Sequence, residues 1–142
     1  MTADEIIALL DLAPHPEGGY FRQTWIAEAG GGARPVGTCI YFLLKAGGAS
    51  HWHRVDATEI WHHYAGAPVR LRLSESDEGP AQALILGPDL AAGQRPQGIV
   101  PVDHWQAAES LGAWSLVGCT VSPGFDFAGF TLAAPGFEIL EA

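Results

Sequence analysis

The chain has 142 residues and an apolar fraction of 48%, enough for one self-supporting core and too apolar for extended disorder. Sixteen acidic against seven basic residues leave a formal net charge of −9, and without clustered Lys or Arg this excludes a general nucleic-acid or anionic-membrane partner. Met1–Glu5 lacks the basic start of a leader, and no run approaches the ~18 apolar residues of a membrane helix. The reading is one domain over residues 1–142, cytoplasmic, with Cys39 and Cys119 as reduced, buried hydrophobes.

In chain order, Thr2 to Leu12 carries Ile6, Ile7, Leu9 and Leu10 behind Thr2 and Asp4 as caps, which predicts a short amphipathic helix. Pro14 and Pro16 end it, and His15-Pro16-Glu17-Gly18-Gly19 reads as a turn. Strands follow at Tyr20–Ile26, Thr38–Leu44, Ala57–Tyr64, Val69–Ser74 and Gln82–Leu86, then Gly98–Val102, Trp105–Ala108, Ser115–Val121 and Phe125–Leu132. Glu75-Ser76-Asp77-Glu78 is a solvated hairpin loop. Short strands at this spacing predict an all-β jelly roll or similar closed sandwich.

The chemistry concentrates in Ser50–Gly66, which holds four of the six histidines. Side chains alternate along a strand, so His51 and His53 are expected on one face. Glu59, Trp61 and His63 share a face of the following strand, with His62 and Tyr64 on its reverse. Two imidazoles and a carboxylate on neighbouring strands are three legs of a divalent-metal site. The bland reading is a polar pocket floor with no ion. For His63, packing against Trp61 competes with ligation. No Gly-x-Ser-x-Gly elbow, phosphate-cradling loop or Cys-x-x-Cys pair is present.

His51-x-His53, then Glu59, six residues and Gly66 resemble the first cupin motif, and Gly93 through Pro101-Val102-Asp103-His104-Trp105-Gln106 resembles the second. With His15-Pro16-Glu17-Gly18-Gly19-Tyr20-Phe21-Arg22, Tyr41-Phe42-Leu43-Leu44, Leu86-Gly87 and Val121-Ser122-Pro123-Gly124-Phe125-Asp126-Phe127, the pattern resembles the cupin-5 branch, a domain of unknown function, from about Leu12 to Leu132. The resemblance implies a cupin-type double-stranded β-helix (a jelly-roll barrel) with a short N-terminal helix, and a homodimer. It implies one divalent ion (Mn, Fe, Ni or Zn) among His51, His53, Glu59 and either His63 or Gln106. The chain departs from the metal-binding pattern at three points. Five residues separate His53 from Glu59, one more than is usual, Gln106 stands where the last histidine is expected, and Asp103 replaces a glycine.

Two versions of a small-molecule enzyme follow. In one the ion polarises a carbonyl or enediol. In the other, metal-free, His53 is the general acid or base and Glu59 orients it, with Tyr20, Tyr41 or Tyr64 as the second proton-transfer group, giving isomerase, epimerase or lyase-type chemistry. Glu17, Tyr20, Arg22, Tyr41, Trp61, Trp105, Phe125 and Phe127 could line the barrel. Tyr20, Arg22, Trp61, Gln106 and Phe125 are the candidate substrate-binding residues, Arg22 as an anchor for an anionic or carbonyl group. The competing reading is a non-catalytic module that binds a small metabolite.

Overall fold

The computed structural model describes all residues from Met1 to Ala142. Helix α1 (Ala3–Leu10) opens with the Thr2 hydroxyl accepting from the Glu5 amide while the Glu5 carboxylate accepts from the Thr2 amide, a reciprocal cap that satisfies two otherwise orphaned donors. The strands are β1 (Ala13–Pro14), β2 (Tyr20–Ile26), β3 (Thr38–Lys45), β4 (Ala49–Val55), β5 (Thr58–Gly66), β6 (Val69–Ser74), β7 (Gln82–Leu86), β8 (Gln97–Val100), β9 (Trp105–Ser110), β10 (Trp114–Ser122) and β11 (Phe130–Leu132). They form two antiparallel sheets, a six-stranded one in the order β1-β2-β3-β10-β5-β8 and a five-stranded one in the order β11-β4-β9-β6-β7. That is the jelly-roll sandwich expected from the sequence. No helix is long and apolar enough to cross a membrane, and both cysteines are free thiols.

The last predicted strand is shorter than expected. Only Phe130–Leu132 pairs with β4, because Asp126 accepts from the Ala128 amide and winds Phe127–Gly129 into a 3-10 turn. The segment from Gly124 to Gly129 therefore lies outside both sheets.

Between the sheets, Phe42, Leu44, Trp61, Val69, Leu71 and Val117 form the main core, each almost wholly buried. The outer face of β3 is closed by α1 and the residues just after it, with Ile6 and Leu12 packed on Leu43. The outer face of the five-stranded sheet is closed by the C-terminal segment, whose Ile139 is buried against Trp52, Trp105 and Ala107. Glu138 fastens that segment by accepting from the Trp52 indole (3.0 Å) and from Arg72 (2.8 Å). Glu138→Ala removes both bonds at a half-exposed site, so urea denaturation should show a loss of about 1–2 kcal/mol. An unchanged midpoint would show that the fastening is idle.

One irregularity governs the site. Along β4 and β9, Ser50 lies opposite Ala108 and His53 opposite Gln106, so three steps on β4 face two on β9, the signature of a β-bulge. Ser50 and His53 consequently both point between the sheets and are buried, while Trp52 joins the outer cluster.

Candidate functional site

Next to the main core, a cavity of about 30 Å³ is walled by His15, Glu17, His53 and Glu59 on its polar side. Phe21, Ile40, Val55, Val121 and Phe125 supply its apolar walls. Water occupies roughly 10–15 Å³ on this measure, so the space takes one functional group and not a whole metabolite.

Glu17 enters from the turn before β2. Its carbonyl accepts from the His51 amide at 2.7 Å, which lays the turn across the start of β4. Gly18 makes this approach possible. Its φ is +104°, and a Cβ there would collide with the carbonyl oxygen of Ala49, so only glycine serves both demands. The Glu17 carboxyl then meets three groups: the Ser50 hydroxyl, which donates to it, His15 Nδ1 at 3.3 Å and His53 Nε2 at 3.4 Å.

The protonation state follows from the partners. His53 Nδ1 donates to the carbonyl of His51 (2.7 Å), leaving Nε2 with a lone pair when the ring is neutral. His15 Nδ1 accepts from the Glu17 amide (3.1 Å). The Glu17 carboxyl thus faces one free lone pair, on His53 Nε2, since that of His15 Nδ1 is taken by the Glu17 amide. A proton shared by Glu17 and His53 relieves the opposition of two acceptors. Burial favours the uncharged arrangement. It raises Glu17 to about 8, with the Ser50 bond pulling only partly back. It also lowers His15 to about 4 and lowers His53 as well, the latter offset in part by the negative charge of Glu59.

Glu59 sits on β5 across the cavity. Gln106 Nε2 donates to its Oε1 at 2.8 Å, and the Gln106 carbonyl accepts from the Trp61 indole at 2.8 Å. Burial first, and the nearby Glu17 second, raise Glu59 to about 7, against the lowering effects of His53, Gln106 and Cys119. Glu59 is therefore a carboxyl poised to ionise near neutrality, held by an amide whose own dipole is fixed by tryptophan. Cys119, raised first by its burial and then by the charge of Glu59, is pushed well above the usual thiol range, which leaves it protonated and unreactive.

The structure joins Glu59, Gln106 and Trp61 in one hydrogen-bonded network, and His53 and Phe125 line the same cavity as Glu59. The other candidates named from the sequence lie elsewhere. His51 is not on the face of His53, because the bulge breaks the alternation. Its Nε2 donates instead to the carbonyl of Ala134. His63 shares the parity of Glu59 but stands four residues along β5, about 13 Å at strand rise, and donates to the Ala67 carbonyl at 3.0 Å. Tyr41 lies on the outer face of its strand, edge-on to Tyr64. Tyr20 packs with α1 beneath Lys45. Arg22 reaches the Leu10 carbonyl and not the cavity, so it anchors no ligand there. Nor does Glu59 orient the His53 ring, a task done by the His51 carbonyl.

The implied metal does not fit these positions. His51 and His63 are turned away, and both ends of the Gln106 amide are engaged. No three His, Cys, Asp or Glu side chains are grouped to hold an ion. Glu17, expected only as a residue that could line the barrel, does line the cavity. What sequence reasoning missed is its pairing with His53, His15 as a wall and Ser50 as a donor. The signal lies in Gly18-Gly19, since paired glycines after an acid mark a close approach of backbone to a neighbour.

Solved structures resemble the chain across its length. A Shewanella oneidensis protein is 41% identical, with 94% of this chain and 85% of that chain covered and a TM-score of 0.88. A hypothetical protein from Leishmania major is 30% identical over 96% of this chain and 90% of its own, with a TM-score of 0.84. A B. subtilis oxalate decarboxylase, 12% identical, covers 87% of this chain and 31% of its own with a TM-score of 0.63 and shows the shared fold alone. No curated protein matches. Residues 4–133 match the family described as Cupin superfamily (DUF985), and the chain belongs to that family.

Proposed function

We propose that the cavity carries out acid–base chemistry on a small carbonyl compound, a proton transfer at the carbon beside the carbonyl of the isomerase or epimerase type. The observation that carries this reading is the Glu17–His53 pair, a carboxylic acid and an imidazole lone pair 3.4 Å apart in one cavity. A carbonyl oxygen and the hydrogen on the adjacent carbon are close enough together to meet one partner each.

In the forward step His53 Nε2 takes the proton from carbon, and the C–H electron pair becomes the carbon–carbon double bond of an enol. The carbonyl oxygen takes the proton of Glu17, leaving a carboxylate and an imidazolium side by side. Returning a proton to the same carbon from the other face epimerises it. For a 2-hydroxy carbonyl, protonating the former carbonyl carbon and removing the hydroxyl proton moves the carbonyl by one carbon. No oxidant or reductant enters. Glu59 is a positioning group, its partial negative charge supporting the imidazolium that forms. Glu17 takes the part expected of a tyrosine, since Tyr41 lies outside.

The test is proton exchange in deuterium oxide. With hydroxyacetone, glyceraldehyde and phenylacetaldehyde as probes, the protein should wash deuterium into the carbon beside the carbonyl faster than buffer for at least one of them. His53→Gln should lower that rate at least a hundredfold with circular dichroism unchanged. Exchange that is equal in the two proteins, or no faster than buffer for all three, overturns the assignment.

A further inference from the structure

We infer that the substrate's reacting end is uncharged, a carbonyl or hydroxyl on a flat apolar body, and that this site takes neither a carboxylate nor a phosphate there. The inference rests on the reading of this cavity as the acid–base site and goes beyond it by naming what the site selects.

The first support is a census of cations. The cavity wall contains no Arg or Lys, and all seven basic side chains of the chain are engaged elsewhere. Arg34 holds Asp56, Lys45 holds Asp4, Arg70 holds Glu141 and Arg72 holds Glu138. Arg22 donates to the Leu10 carbonyl and Arg95 to the carbonyls of Leu90 and Gln94. Arg54 lies on the outer Trp105 ring, 4.8 Å from its centroid. An anion entering between Glu17 and Glu59 would lose its water and find two carboxyl groups and no counter-charge, so its binding is strongly disfavoured. An uncharged oxygen loses little, because Glu17 supplies a proton to it and His53 a lone pair to the neighbouring hydrogen.

The second support is the shape of the entrance. The space of about 30 Å³ admits the head only. Directly outside stands an aromatic group in which Phe125, a wall of the cavity, meets Phe127 edge-on at 4.8 Å and Phe130 at 5.8 Å. Phe127 also lies 6.1 Å from the His15 ring yet is 53% exposed. A large aromatic ring that touches the wall of a cavity and is half in water is a surface for the remainder of a ligand, and its flat, weakly negative faces suit planar or C–H-rich surfaces. A lone ammonium head is disfavoured as well, since it would shed its water against a carboxyl that burial holds protonated and a wall that is half hydrocarbon.

Four probes with one ring and different heads test this: benzaldehyde, benzyl alcohol, benzoate and benzylamine, titrated at pH 7 into the 15N-labelled full chain. The readouts are the His53 imidazole resonances and the dissociation constant. Benzaldehyde and benzyl alcohol should move the His53 signals and saturate, with benzoate and benzylamine at least tenfold weaker. Phe127→Ala, an exposed substitution that leaves the fold intact, should weaken both neutral probes about fivefold or more. Benzoate or benzylamine binding as tightly as the neutral pair overturns the inference, as does failure of every probe to move His53 or indifference of binding to Phe127→Ala. Binding does not depend on turnover. Neutral probes that bind while hydroxyacetone, glyceraldehyde and phenylacetaldehyde all exchange no faster than in buffer would remove the acid–base reading and leave the selectivity standing, whereas exchange with tight benzoate binding would do the reverse.

Discussion

Stability should fall as pH rises from 6.5 to 8.5, and Glu17→Gln should abolish most of that fall. Glu17 is raised from an ordinary 4.5 to about 8 and Glu59 from 4.5 to about 7, so across this range the folded chain binds more protons than the unfolded one. Stability then decreases with pH until the folded values are passed. The full spans correspond to about 5 kcal/mol for Glu17 and about 3 for Glu59, of which about 2–3 kcal/mol in total falls between pH 6.5 and 8. The buried histidines act in the opposite sense. His15, lowered from 6.5 to about 4, and His53, also lowered, make stability grow with pH only up to about 6.5. The optimum therefore lies on the acid side of neutrality. A glutamine at position 17 has an NH₂ to offer an imidazole lone pair and never needs to ionise, so E17Q should match the parent near pH 5.5 and exceed it by several kcal/mol at pH 8.5. Urea titrations at the two pH values decide it. A parent that grows more stable above pH 6.5, or a variant equally impaired at both, would show that the carboxyl is not held uncharged.

Trp61→Ala should cost about 3–5 kcal/mol, the usual range for deleting a buried tryptophan, and Trp61→Phe about 1–3. Trp61 is 1% exposed and contributes in two separable ways. Its rings pack in the main core edge-on to Phe42 at 5.7 Å, and its indole N–H satisfies the Gln106 carbonyl. Phenylalanine keeps most of the first and loses the second, leaving a buried acceptor without a partner. W61F should also upset the deuterium exchange more than its modest stability loss suggests, because the unpinned amide can turn and withdraw its donor from Glu59. Equal stability of W61F and the parent would mean that the amide has another partner. An undisturbed exchange rate would mean that Glu59 does not need it.

The strands are legible in the sequence because their apolar, β-branched runs are bounded by Gly and Pro. For Tyr20–Ile26, Val69–Ser74 and Gln82–Leu86 the expected and observed bounds coincide. The part of the site carried on regular strand geometry is legible too, as the placement of Glu59, Trp61 and Gln106 in one network shows. Three things are not. The bulge in β4 depends on how that strand pairs with β9, a distant part of the chain, and nothing local in His51-Trp52-His53 announces it. Tyr20, Arg22 and Tyr41 are aromatic or cationic residues in motif segments, but they have the parity that faces α1, and strand periodicity alone does not say which face a helix covers. Glu17 belongs to a turn, where no periodicity applies, and its position over β4 comes from one backbone hydrogen bond and a glycine with positive φ.

The extra residue in β4 leaves two successive side chains, His51 and Trp52, on the outside of the barrel, and both grip the same stretch of chain. His51 bonds the carbonyl of Ala134, Trp52 bonds Glu138, and the Trp52 carbonyl accepts from the Ala133 amide. Deleting either one would keep Ser50 and His53 turned inward but remove one of the two clasps. The insertion thus makes β4 a hinge pin shared by the tail outside and the proton pair inside, so that loosening the tail should be felt first at the hydroxyl that donates to Glu17.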